Sequence, residues 1–298
     1  MTSGRPDKRD PSDDLEAAAR VFAEVRPRLF GIAYRMLGSA TEAEDLLQDV
    51  WVRWQTAERD GVVNPAAYLA TATTRLAINA LQSARARRET YVGPWLPEPV
   101  DTSADPYLGA ERGEALEFAV LTLLERLTSN ERAAYVLREA FDYPYSQIAE
   151  ILALKEPAVR QLVSRARRRV TGERRTPVPT GEQRRLLTAF VRAARSGDLA
   201  ELEGLFATDV TSCSDGGGVV RASRFAVHGS TRVARYVRAF KDRFWVGLDV
   251  EIGTANGQPA ALLRRHGVLE VVLFVDASEQ GIEQLHWVMN PHKLAALS

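Results

Sequence analysis

Residues 127–170, LTSNERAAYVLREAFDYPYSQIAEILALKEPAVRQLVSRARRRV, constrain the fold of this chain more than any other segment. Apolar residues at helical spacing (Ala133, Val136, Leu137, Ala140) predict a helix over 130–140, which Tyr143 and Pro144 break. A short second helix over 146–152 turns Ile148, Ala149 and Leu152 inward. A turn at 153–156 leads into a third helix with Pro157 in its first turn, where the missing N–H would have had no partner anyway. That helix puts Val159, Leu162, Val163 and Ala166 on one face and Arg160, Gln161, Ser164, Arg165 and Arg168 on the other. An amphipathic helix with such an outer face, following a short turn, suits the major groove of DNA. Arginine can pair bidentately with guanine and glutamine with adenine. Arg167, Arg169, Arg174 and Arg175 are expected at phosphates, which position a protein without reading sequence. A basic helix is more commonly a solvated face. Here helix-turn-helix spacing coincides with an outer face that carries no acid, which favours DNA.

The rest of the composition says little about nucleic acid. Lys plus Arg and Asp plus Glu both number 39, so the positive charge is local, at 85–88 and 160–175. One cysteine, Cys213, excludes an intramolecular disulfide and a multi-cysteine zinc site. The opening MTSGRPDKRDPSDD is polar and charged, unlike a signal peptide, and no apolar run approaches the ~20 residues of a membrane helix. A soluble, cytoplasmic protein is the expectation, with no cofactor and no metal.

The chain divides by composition. Residues 1–14 are expected to be a disordered tail, and 15–89 mostly helical. Gly38-Ser39 punctuates, and Thr41 with Glu44 reads as a capping box opening the helix EAEDLLQDVWVRW. Leu46, Leu47, Val50 and Trp54 pack inward, whereas Glu44, Asp45, Gln48 and Asp49 form an acidic and polar face. Asn64-Pro65 starts another helix, from about 66 to 86. Residues 90–111 read as a proline-containing linker, 112–171 as the helix-turn-helix unit and 172–182 as a second linker. Residues 183–298 read as an α+β domain. Helices at 183–195, 199–206 and 231–243 precede strands at 245–253, 260–265, 268–275 and 282–289, arranged as an antiparallel meander.

Two helical units joined by such a linker resemble extracytoplasmic-function sigma factors. AYRMLGSATEAEDLLQDVWVRW (33–54) is similar to the region 2 element that docks on the β′ clamp helices of RNA polymerase. NPAAYLATATTRLAINALQSARARRE (64–89) resembles the helix that melts and reads the −10 element, and the helix-turn-helix resembles region 4, which reads the −35 element and meets the β flap. The resemblance implies polymerase contacts at Glu44, Asp45, Gln48 and Asp49. It implies −10 contacts at Asn79, as a base reader, and at Arg75, Arg85, Arg87 and Arg88, as phosphate contacts. Tyr68 and Trp51 read as core rather than as stacking platforms. Core RNA polymerase and promoter DNA are the implied partners, and the chain itself is not expected to be an enzyme.

The remainder resembles a subgroup carrying a fused SnoaL-like domain, which implies a cone-shaped barrel around a pocket. GPWLPEPV (93–100, with Trp95), DGGG (Asp215, Gly216, Gly217, Gly218) and NPHKL (Asn290, Pro291, His292, Lys293, Leu294) are similar to three hallmarks of that subgroup. His292 stands where the subgroup has Asp, and Lys155 where the third helix of region 4 has a Ser or Thr N-cap. Glu156 near the helix N-terminus offsets part of the lost cap. The resemblance implies that these hallmarks form a contact between the C-terminal domain and the sigma core, with NPHKL docking near the linker or region 2. Asp215, His228, His266, Asp276 and His286 are the possible acid–base groups, yet no nucleophile–base pair is legible. Strand alternation would put His286 on one face with Ile282, Gln284 and Val288. Two other functions stay open at this point: a ligand-sensing helix-turn-helix regulator, and a sigma factor whose C-terminal domain also binds or converts a small molecule.

Overall fold

The computed structural model describes residues 11–102, 117–172 and 175–297. The N-terminal residues 1–10, much of the expected linker at 103–111, and Arg174 lie outside them. Three helices open the chain: α1 (Pro11–Leu37), α2 (Ala40–Thr56) and α3 (Pro65–Glu89). Helix α1 starts at Pro11, inside the span expected to be a tail, and Asp14 is ion-paired with Arg59. Gly38, at φ 69°, ends α1, and Ser39 caps α2 by accepting from the Glu42 N–H at 3.0 Å. The expected Thr41–Glu44 box therefore does not form. The helix starts at Ala40, so Thr41 lies inside its first turn, where its N–H and hydroxyl donate to the Glu98 carboxylate at 3.1 and 3.3 Å. Glu44 instead pairs with Arg26 at 2.5 Å.

The second group is α4 (Phe118–Leu124), α5 (Ser129–Tyr135), which continues as a π-helical turn over Val136–Ala140, α6 (Tyr145–Leu152) and α7 (Glu156–Gly172). Thr128 and Glu131 form a reciprocal capping box on α5. Ala153 takes the left-handed conformation (φ 53°) that closes α6 and makes the turn before α7. Ile151 rather than Leu152 joins Ile148 and Ala149 inside. These helices do not form a separate core. Met36, Leu46, Trp54 and Leu81 belong to one buried cluster with Leu121, Leu137 and Val163. A polar seam runs beside it: Arg132 Nε donates to Arg35 O at 2.8 Å, Arg28 to Phe141 O at 3.1 Å, and Arg75 to Ile151 O at 2.9 Å and Glu150 O at 3.1 Å.

The C-terminal unit begins with α8 (Thr180–Ser196) and α9 (Leu199–Leu205). It continues with β1 (Phe206–Asp215), β2 (Val227–His228), α10 (Ser230–Ala239) and α11 (Lys241–Phe244). Then come β3 (Leu248–Ala255), β4 (Gln258–Arg265), β5 (Val268–Ser278), β6 (Gly281–Val288) and α12 (Pro291–Leu294). The sheet order is β2-β1-β6-β5-β4-β3. The expected meander is present, but the sheet is mixed, because β1 runs parallel to β6. β1 is FATDVTSCSD, too polar to alternate cleanly in the sequence, and pairing with β6 completes it. The expected parity of β6 also fails at its start. The pairing steps from Ala277↔Ile282 to Asp276↔Gln284, so a bulge at Glu283 moves Ile282 to the side of Leu285 and Trp287.

The two faces of this sheet have different tasks. Leu273, Val275, Leu285 and Trp287 pack with Leu187 and Phe190 of α8 in the domain's own core. Val272, Phe274 and Val288 pack instead with Leu96 of the linker, Phe118 of α4 and Leu294. Phe118 stacks on Phe274 with ring centroids 4.2 Å apart. Among the described residues no helix is long and apolar enough to cross a membrane.

Candidate DNA-reading face and linker clasp

Helix α7 presents Arg160, Gln161, Ser164, Arg165 and Arg168 on an exposed, shallow concave surface. Several of the arginines are held by acids of their own unit. Arg160 pairs with Glu156 at 2.5 Å and lies 4.3 Å over the Tyr145 ring. Arg167 pairs with Glu139 at 2.7 Å, while Arg165 and Arg169 converge on Glu131 at 3.2 and 2.6 Å. Burial opposes charge on Glu131, but the Thr128 N–H and hydroxyl and these two arginines outweigh it and hold the carboxyl below its usual range. The helix is thus braced in position by acids of its own unit. Gln161, Ser164 and Arg168 have no side-chain hydrogen bond among the described residues.

The region 2 candidates are placed less uniformly. Asp45, Gln48 and Asp49 are exposed along α2, beside the paired Glu44. Asn79 is exposed on α3. Arg75 caps carbonyls at the C-terminal end of α6, as described above. Arg88 pairs with Glu125, donates to Leu37 O at 2.5 Å and stacks 3.5 Å over the Trp95 ring. In this arrangement both arginines are engaged in joining α3 to its neighbours, Arg88 largely buried and Arg75 still exposed. The side chains of Arg85 and Arg87 lie outside the described residues. Tyr68, read as core, is 42% exposed, since it sits one turn from the start of α3 and only edges onto Trp54. Trp51 is half-buried against Phe22.

The linker is gripped by the C-terminal unit. Asp215, at the end of β1, is fully buried and accepts four hydrogen bonds. They come from Tyr91 Oη at 2.5 Å, Leu96 N at 2.8 Å, Gly217 N at 3.1 Å and Lys293 Nζ at 2.7 Å. Lys293 also donates to Leu96 O at 2.5 Å and lies 4.1 Å over Trp95. Burial lowers its pKa, and Asp215 offsets only part of that. Asn290 caps α12 and donates to Tyr91 Oη at 2.9 Å, so NPHKL reaches the linker. Pro291 begins α12, Leu294 joins the apolar seam, and His292 is exposed. Burial and then Asp215 raise the Tyr91 pKa. The glycines are tightly fitted: a Cβ on Gly216 would meet Val220 O at 2.3 Å, and one on Gly217 would meet Asn290 Nδ2 at 2.3 Å. Gly218 lies against Val92.

A second hold was not singled out in the sequence. Asn256, in the Asn-Gly turn between β3 and β4 (φ 52°), pairs with Val100 through backbone and side chain at 2.9 and 3.0 Å. It also donates to Tyr34 Oη at 2.7 Å, and Tyr34 in turn donates to Glu98 O at 2.6 Å. The Asn-Gly dipeptide signals a hairpin, but nothing local says that its side chain reaches α1. Of the acid–base candidates, His228 contacts the Thr211 hydroxyl at 3.1 Å, and His266 occupies the β4–β5 turn at φ 50°. Asp276 and His286 pair at 2.8 Å on the sheet face beneath Phe118.

Comparison with known proteins gives this geometry its context. Residues 21–87 match the family model for sigma-70 region 2, and 117–170 match that for sigma-70 region 4. The chain is 37% identical over 247 residues to the ECF RNA polymerase sigma factor SigJ of Mycobacterium tuberculosis, spanning 80% of this chain and 79% of that one. It is 29% identical over 291 residues to the probable ECF RNA polymerase sigma factor SigI of the same organism, covering 96% of each. The crystal structure of M. tuberculosis SigJ superposes with a TM-score of 0.76 at 30% identity, covering 93% of this chain and 98% of that one. With both sigma regions, a C-terminal α+β extension and these relatives, the chain belongs to the extracytoplasmic-function RNA polymerase sigma factors, which direct core RNA polymerase to specific promoters and start transcription there.

Proposed function

We propose that the arrangement described above is a closed resting state of this sigma factor, and that its own C-terminal domain sets how readily it opens. The observation that carries this is the shared core of regions 2 and 4 with the C-terminal unit bridging both. That unit holds Tyr34 of region 2, the linker at Tyr91, Leu96 and Val100, and Phe118 of region 4, whose N–H donates to Gln258. The −10 and −35 elements lie about 25 base pairs apart, on the order of 85 Å at ~3.4 Å per pair. Two regions in hydrogen-bond contact through Arg132 and Arg35 cannot read both at once. Opening would release Arg75 and Arg88 for the −10 strand, alongside Asn79, Arg85 and Arg87. It would leave Arg160, Gln161, Ser164, Arg165, Arg167 and Arg168 to read and hold the −35 element, while Glu44, Asp45, Gln48 and Asp49 meet the polymerase. On this reading the C-terminal domain acts as a regulator, through its hold on the linker and on both regions. The protein acts in the cytoplasm, with the polymerase.

The test is a distance measurement on the full chain labelled at the exposed positions Arg20→Cys and Thr171→Cys, with Cys213→Ser. Separation should grow by tens of ångströms when core polymerase and promoter DNA are added. An unchanged distance in a transcribing complex would refute the closed-state reading.

A further inference from the structure

The C-terminal domain contains a cavity of ≈ 430 Å³ that lies beside the linker clasp and is lined by none of the side chains that hydrogen-bond the linker. Its volume falls in the ~300–1,000 Å³ range of small-molecule sites. Its wall is aromatic, with Tyr236, Phe240, Phe244, Trp245 and Trp287 lining it. Phe244, Trp245 and Trp287 form an edge-to-face cluster with centroids 5.1–6.2 Å apart, so part of the wall is preformed. Two cations, Arg221 and Arg243, also line it. Both are exposed, and neither guanidinium has a hydrogen-bond or ion-pair partner among the described residues, unlike the braced arginines of α7. Aromatic faces favour flat apolar rings, and a guanidinium favours a carboxylate, which it can hold by two parallel hydrogen bonds.

We infer that this cavity binds a planar aromatic molecule bearing one carboxylate, with the ring against the aromatic wall and the carboxylate on Arg221 and Arg243. The cavity is also connected to the linker clasp. Ser214 lines it and immediately precedes Asp215, the hub of the clasp. Met289 lines it, donates its N–H to Asp215 O at 2.8 Å and immediately precedes Asn290. Ala222 and Ser223 line it on the loop that begins with the tightly packed Gly216 and Gly217, and Ser223 O comes within 3.6 Å of a Cβ placed on Gly93 of the linker. A ligand that moves this loop or the Ser214 and Met289 backbones changes the grip on the linker. The site makes the closed state responsive to a metabolite. The binding claim stands by itself, and the coupling claim rests on the reading of the C-terminal domain as the regulator.

The experiment is calorimetric titration of the full chain with 2-naphthoate and with its uncharged counterpart 2-naphthamide. 2-Naphthoate should bind saturably at one site, at least ~10-fold more tightly than the amide. Arg221→Gln with Arg243→Gln, both exposed positions, should erase that preference while leaving the melting curve intact. Phe240→Ser, also at an exposed position, should weaken both compounds. No saturable binding of 2-naphthoate, equal affinity for the two, or a preference that survives in the double variant would overturn the site. Amide exchange in residues 91–100 and 216–223 should change when 2-naphthoate is bound. Charge-selective binding without that change would overturn the coupling and leave the closed-state reading to its own distance test.

Discussion

Replacing Asp215 with asparagine keeps the shape of the side chain and removes its charge, at the one atom group that both ends of the linker clasp share. One carboxylate oxygen accepts from Tyr91 Oη and Gly217 N, the other from Leu96 N and Lys293 Nζ. The asparagine oxygen would keep the Leu96 and Lys293 donors and point its NH₂ at Tyr91 and Gly217. Tyr91 Oη can turn to accept, but the Gly217 N–H cannot. The two linker bonds then fall from charge-assisted to neutral, from about 1.5–3 to about 0.5–1.5 kcal/mol each. Together that is a loss of about 2–3 kcal/mol from the clasp, or roughly 30–140-fold in the opening equilibrium at about 1.4 kcal/mol per factor of ten. The loss of Lys293's counter-ion acts within the C-terminal domain in both the closed and the open protein. It should lower the melting temperature without adding to opening. Amide exchange over residues 91–100, read against the rest of the chain, isolates the first effect. We expect it to accelerate by that factor in Asp215→Asn, with promoter-specific transcripts rising at limiting sigma concentration. A lowered melting temperature with unchanged protection of this segment would refute the reasoning, because the clasp would then not be what holds the linker.

Other outcomes follow from the same geometry. Arg168→Ala should weaken holoenzyme binding to a −35-containing promoter and reduce the salt slope of binding by about 1, because Arg168 is exposed and free of side-chain partners among the described residues; an unchanged slope would remove it from the DNA face. Glu131→Gln should cost about 1.5–3 kcal/mol at neutral pH, given a side chain only 4% exposed that holds two arginines. Because its folded-state pKa is depressed, that stability is complete above the ordinary carboxylate range and is lost as pH falls through the lowered value. The melting deficit of the variant should therefore shrink in acid, and an equal deficit at pH 7 and pH 3 would contradict this. Gly38→Ala forces a Cβ into a left-handed turn and to 2.8 Å from Trp95 Cη2. It should destabilise by at least about 1–2 kcal/mol and loosen the linker in the same exchange experiment.

Much of the molecule is legible in its sequence. The outer face of α7 follows from helical periodicity alone, since Val159, Leu162, Val163 and Ala166 must face inward and leave Arg160, Gln161, Ser164, Arg165 and Arg168 outside. The meander β3–β6 follows from β-branched runs between turn residues, and the boundary at Gly38-Ser39 from backbone chemistry. All of these rest on interactions within a few residues, which a sequence records directly. Pairing across the chain is not recorded that way. β1 is a strand because β6 offers it a parallel edge, not because FATDVTSCSD prefers extension. Ser39 rather than Thr41 caps α2, and the Thr41 hydroxyl left inside the first turn finds its partner in Glu98, 57 residues away. Arg75 and Arg88, plain surface cations by composition, close the interface of regions 2 and 4 because α6 and Glu125 lie beside them. Asp215, Lys293 and Asn256 converge from three distant segments on one linker, and a Coulomb or hydrogen-bond energy depends on distances that only the folded chain sets. Local sequence chemistry determined most of the helices, the β3–β6 meander and which face of α7 is exposed and basic; the tertiary structure decided that β1 joins the sheet, that regions 2 and 4 share one core and that the C-terminal domain packs on the linker between them, because those contacts join segments far apart in the chain.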